Sequence, residues 1–143
     1  IAGHDAVMAT GHISPEESLA LLKLAGRCGV RRMMVTHASE SVVSMSPDQQ
    51  KEAIQLGAFL EHSFFAVTES CPGNIPLELI CDQIRFTGAE NVILTSDLGQ
   101  TANKPPVEGF CHYLEKMMGM GFSGEELRVM IHDNPRRLLE GRP

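Results

Sequence analysis

Four short apolar runs limit what this chain can fold into: AVMATGH (6–12), RRMMVTH (31–37), GAFLEHS (57–63) and NVILTSD (91–97). Each has strand length, each ends on polar residues, and no two-residue hairpin turn joins any adjacent pair. Gly29, Gly57 and Gly88 stand at or just before the start of three of the runs, where a preceding helix needs a left-handed terminating residue. Ser14-Pro15-Glu16-Glu17 and Ser46-Pro47-Asp48-Gln49 supply matching starts: a capping serine, proline in the first turn, and an acid or amide three residues on. Ser123-Gly124-Glu125-Glu126 is a third such box. Strand and helix therefore alternate, and strands so connected must run parallel through crossovers.

The expected strands are residues 6–11, 32–36, 58–61 and 92–96, in sequential spatial order with helices on the outer face. Helices are expected at about 15–28 and 47–56, from Pro76 to before Gly88, after Pro105-Pro106, and from Ser123. Asn134-Pro135 is expected to break the last of these, leaving RRLLEG as a terminal turn. A chain of 143 residues with 43% apolar and 21% charged residues makes one globular domain, 1–143.

The tips carry the chemistry. His12, His37 and His62 stand 25 residues apart, and Asp97 follows His62 by 35. In a parallel sheet all C-terminal strand ends share one rim, so these side chains converge without any local motif. A lone histidine at a strand end is more often a hydrogen-bonded loop residue; four such tips in consecutive units favour a shared site. Imidazole and carboxylate together suit a divalent transition metal, Zn²⁺ first, with Mn²⁺ or another ion as alternatives. Glu61 and His62 point to opposite faces of their strand, so one of the two faces the site. Gln100, Asn103 and Lys104, in the long polar loop after Asp97, are candidate substrate contacts. His4, His112 and His132 lie off the rim and are assigned structural roles.

A net charge of −6 with no basic run argues against nucleic acid and anionic membranes and favours a small-molecule substrate. No apolar stretch has membrane-spanning length and no signal peptide opens the chain, so a cytoplasmic location is expected. Cys28, Cys71, Cys81 and Cys111 form no CxxC pair and are expected as buried free thiols.

The tips TGH, VTH and TSD, with the terminal NPRRLL, resemble the second half of the amidohydrolase superfamily, metal-dependent hydrolases on a (β/α)₈ barrel. More narrowly, ATGHISPEESLALL and SDLGQ…PPVEGF look like an amidohydrolase-like group related to phosphotriesterases. The resemblance implies the C-terminal half of a TIM barrel, with His12 and His37 as metal ligands on the fifth and sixth strands. Asp97 would be the eighth-strand aspartate that binds metal and takes the proton of the attacking water. Glu61 or His62 would sit on strand seven, where substrate contacts vary.

The HxH pair that opens such barrels does not occur in this chain. Its absence, with about 250 residues needed for a whole barrel, implies a fragment cut within or just before strand five. Its open edges would be covered by a missing N-terminal half or by a homo-oligomer. The function implied is hydrolysis of an amide, ester, lactone or phosphoester. Two alternatives remain: a decarboxylase or lyase on the same fold, and a non-catalytic small-ligand domain of flavodoxin-like type. The latter calls for a glycine-rich phosphate loop that TGHISPEES does not provide.

Overall fold

A computed structural model describes residues 1–141. Its sheet has four strands, β1 (Met8–Ala9), β2 (Met33–Val35), β3 (Ala58–Ser63) and β4 (Val92–Thr95). They lie in the order β1-β2-β3-β4, and every pairing is parallel. Between and after them run α1 (Pro15–Arg27), α2 (Pro47–Gln55), α3 (Leu77–Thr87), α4 (Pro106–Gly119), α5 (Gly124–Arg128) and α6 (Asn134–Glu140). The fold is α/β, a half-barrel of (β/α)₈ type. Sequential order separates it from a doubly wound sheet, whose order reverses at a switch point.

The helices start where their serines dictate. Ser14, Ser46 and Ser123 each accept a backbone N–H from the third helical residue, whose side chain reaches back in a closed capping box. Replacing Ser46 with alanine is expected to cost about 1 kcal/mol, read as a lower urea midpoint at unchanged m-value.

Sheet alternation sorts the strand residues. Met33, Val35, Ala58, Leu60, Val92 and Leu94 pack into one core with Leu22, Ala53, Ile80, Ile84, Tyr113 and Met117 of the helices. Leu22 and Leu60 are fully buried, contributing about 1.5–3 kcal/mol each. On the other face, Ala9 is exposed and Met34 and Phe59 are only half-buried. Helices thus cover one side of the sheet, and the side that would line a barrel is open at Ala9, Met34 and Phe59 but closed at Glu61 and Ile93, which are buried.

The C-terminal segment departs from expectation, because Asn134-Pro135 does not end the helix. Residues Val129–Asp133 form a π-helical turn, and the Asn134 N–H donates to the Val129 carbonyl five residues back. The wider turn moves the chain off the i−4 ladder just before Pro135, which has no N–H and whose ring would clash with a carbonyl there. Helix α6 then continues to Glu140 and closes the N-terminal rim. The fully buried Asn134 donates to the Ala89 and Val92 carbonyls at 2.8 and 2.7 Å, and Arg32 donates to the Leu139 carbonyl.

The four thiols are free, but Cys28 and Cys111 are exposed while only Cys71 and Cys81 are buried. Cys28 follows the last turn of α1, and Cys111 falls on the solvent side of α4; an apolar neighbourhood in sequence did not set their facing. Among the described residues no helix is long and apolar enough to cross a membrane.

Candidate metal centre at the strand tips

The ladders explain the 25-residue spacing. Met8 pairs with Met33 and Met33 with Ala58, both offsets of 25, so His12, His37 and His62 fall level across the sheet. His62 in turn pairs with Leu94, which leaves Asp97 three residues beyond that level.

Side chains tie the tips beyond the ladders. The Thr36 N–H donates to Thr10 Oγ1 at 3.1 Å, and the Gly11 N–H donates to Thr36 Oγ1 at 3.2 Å, joining the ends of β1 and β2. Glu61 spans the next two gaps: Oε2 accepts the His37 N–H at 3.2 Å, and Oε1 accepts the Thr95 hydroxyl at 2.9 Å. Two tip residues also hold left-handed backbone that non-glycine residues rarely adopt, His37 at φ 54° and Asp97 at φ 48°. That twist takes both side chains out of simple strand alternation and turns them toward each other.

His37 is the hub. Its Nε2 lies 4.0 Å from Asp97 Oδ2, and the His12 ring stands 4.9 Å away centroid to centroid, tilted by 41°. On the other side, Nδ1 has Glu40 Oε1 at 2.9 Å and Glu61 Oε2 at 3.7 Å. The Glu40 oxygen lies off the N–H axis, so Nδ1 is buried without a formed hydrogen bond. The short polar contact with the Glu40 carboxylate is the main cause holding the His37 imidazole above its ordinary value, against the opposing effect of burial, and the charges of Glu40, Glu61 and Asp97 add to it. Burial would raise the Glu40 carboxyl, but contacts with His37 and the Ser63 hydroxyl outweigh it and hold it below the carboxylate norm.

Donor atoms of His37, Glu40 and Asp97 lie within 4.8 Å of one another. His37 and Glu40 are buried, whereas Asp97 presents 36% of its side chain to solvent. His12 is exposed, its ring 4.9 Å from that of His37, and it stands outside this three-residue group.

Of the two candidates on β3, Glu61 reaches the rim and His62 does not. His62 is fully buried on the helix side, its Nδ1 2.7 Å from Ser39 Oγ. The Ser39 hydroxyl donates to Gln83 Oε1, which also accepts Gln50 Nε2 at 2.8 Å. The serine proton is thereby committed, so His62 is the donor to Ser39 and carries its proton on Nδ1. This network clamps the turn after β2, which holds both Ser39 and Glu40, against α2 and α3.

Gln100, Asn103 and Lys104 stay in the loop after β4. The Asn103 amide donates to Gln100 Oε1, Ser70 donates to Asn103 Oδ1, and Lys104 pairs with Glu108 at 2.9 Å. Asn103 and Lys104 line a cavity of about 1180 Å³ with Phe64, Leu98 and His112, between this loop and the one after β3. His4 is exposed in a short turn at the N-terminus, and His132 pairs with Asp133 at 2.8 Å.

Glu40 was missed in the sequence. The signal was there: HASE places a carboxylate three residues after a tip histidine, within reach across one turn. Nothing in the run marks a polar loop residue as buried, however, and burial is what brings Glu40 to His37.

The family described as a "Family of unknown function (DUF6282)" matches residues 1–61. No curated protein matches the chain. Among solved structures, the chain is similar to an organophosphorus hydrolase from Deinococcus radiodurans, at TM-score 0.65 and 17% identity over 85% of this chain. An arginine-to-alanine variant of that hydrolase gives TM-score 0.66 at 17% identity, and a triple variant 0.63 at 16%. The chain spans 42% of that hydrolase's length, and at this identity the likeness is one of fold: four βα units of a (β/α)₈ barrel.

Proposed function

We propose that this chain is part of a metal-dependent hydrolase of the amidohydrolase type, phosphotriesterase-like, acting on an ester, lactone, amide or phosphoester. The observation that carries the reading is the convergence of His37, Glu40 and Asp97 donor atoms within 4.8 Å at the rim of this fold. The residues fit a divalent transition ion. The set is imidazole and carboxylate, and His37 turns Nε2 toward Asp97 while Glu40 and Glu61 stand against Nδ1.

His12, His37 and Asp97 would hold the ion, with Glu40 beside them. Such an ion, when bound, acts as a Lewis acid and lowers the pKa of water toward neutrality. Asp97, the most exposed carboxylate of the three-residue cluster, is the group placed to accept a proton from an attacking water. Glu61, fastened to the His37 backbone and Thr95, holds the tips in register. Asn103 and Lys104, on the cavity wall, would meet the rest of the substrate.

The domain reading belongs to this proposal as well. The half-buried Met34 and Phe59 would be covered by the other half of the barrel, or by a second copy of the chain.

The test is metal content after dialysis against zinc or manganese, measured by elemental analysis on wild type and on His12→Ala, His37→Ala and Glu40→Gln. Wild type is expected to retain stoichiometric metal and the His37 variant to lose it. Glu40→Gln is expected to weaken binding by about 10- to 100-fold, as for a carboxylate supporting a ligating histidine. A wild-type chain that retains no more metal than its His37→Ala variant would sink the metal reading.

A further inference from the structure

We propose that the opposite, N-terminal rim carries a second site, for a phosphate dianion, either free or as a small monoester. The inference does not depend on the metal centre. A cleft of about 350 Å³ there is lined by Asp5, Arg31, Arg32, Phe59, Arg137 and Gly141, among others. In the cleft's lining three guanidinium groups stand against one carboxylate, in a chain whose net charge is −6. The rim at the other end gathers the carboxylates Glu40, Glu61 and Asp97 instead.

The arginines are held rather than scattered. Arg31 and Arg32 lie on the two oxygens of Asp5, at 3.4 and 3.0 Å, which brings their guanidinium groups together. Arg32 is fixed further by its bond to the Leu139 carbonyl, and its Nε is buried with no acceptor. Arg137 stands over the Phe59 ring at 5.3 Å and donates from Nη1 to the Glu90 carbonyl at 3.2 Å. Its Nε and Nη2 have no hydrogen-bond partner among the described residues, so one edge of the fork remains for a ligand.

Arginine forks match phosphate oxygens two at a time, and the tetrahedral dianion accepts them from several directions, as a planar carboxylate cannot. The cleft is too small for a polymer.

Titration of the chain with inorganic phosphate and, separately, phenyl phosphate, followed by ³¹P NMR in EDTA at constant ionic strength, tests the site with the metal centre empty. Saturable binding is expected, weakened about tenfold by Arg31→Met or by Arg137→Met, since each removes a charge-assisted contact of order 1.4 kcal/mol. The double variant should lose it. Tighter binding of phenyl phosphate assigns a monoester; equal binding assigns free phosphate. A response that never saturates, or both single variants binding as wild type, overturns the proposal. Arg31 is 78% exposed, so its variant should fold even if Arg137→Met does not.

Discussion

Asp97→Asn is expected to lower turnover by about two to four orders of magnitude while the chain keeps its fold and most of its metal. The amide retains an oxygen for coordination but cannot take a proton from water. Asparagine also tolerates the left-handed backbone that Asp97 holds at φ 48°, so the change should not disturb the strand end. His37→Ala should fail in the reverse order, losing metal first and activity as a consequence. The measurements are metal per chain and rates on a panel of esters, lactones and phosphotriesters, made on a polypeptide with a complete barrel. Normal turnover by Asp97→Asn at full metal content would reduce Asp97 to a strand-end cap.

The second large effect is acid lability set by His62. Burial pushes its imidazole down to about 4 from an ordinary 6.5, with Glu40 opposing weakly. Between those two values the unfolded chain binds a proton that the folded chain refuses. This contribution is therefore intact above about pH 6.5 and is lost as the pH falls toward 4, by about 3 kcal/mol in all. Urea melts across that window should show stability falling with pH more steeply in wild type than in His62→Gln, which can still donate to Ser39. Identical slopes in the two proteins would mean that His62 is not buried neutral.

Much of the fold could be read from the chain because local signals agreed. The serine boxes start α1, α2 and α5, Gly29, Gly57 and Gly88 follow the ends of α1, α2 and α3, and apolar runs without hairpin turns leave only parallel pairing. The equal 25-residue steps to His12, His37 and His62 anticipated the register itself. Side-chain direction was less legible: Glu61 and His62 are neighbours on one strand, and only packing against Ser39 and Gln83 decides which one enters the core. Glu40 was hidden for a similar reason, as a loop carboxylate looks solvated until the turn around it is folded under. Pro135 misled because a π turn, which no sequence pattern announced, absorbs it.

The left-handed backbone at His37 and Asp97 bears on how this chain could have evolved. Such a conformation costs a non-glycine residue roughly 1–2 kcal/mol, least for Asp and Asn, and glycine would hold it without that cost. Drift under selection for stability alone would therefore erode both positions toward glycine or asparagine. A lineage that keeps imidazole at one and carboxylate at the other is under purifying selection for something besides folding, so the identities at 37 and 97 in sister sequences can separate working copies from decaying ones before any assay is run.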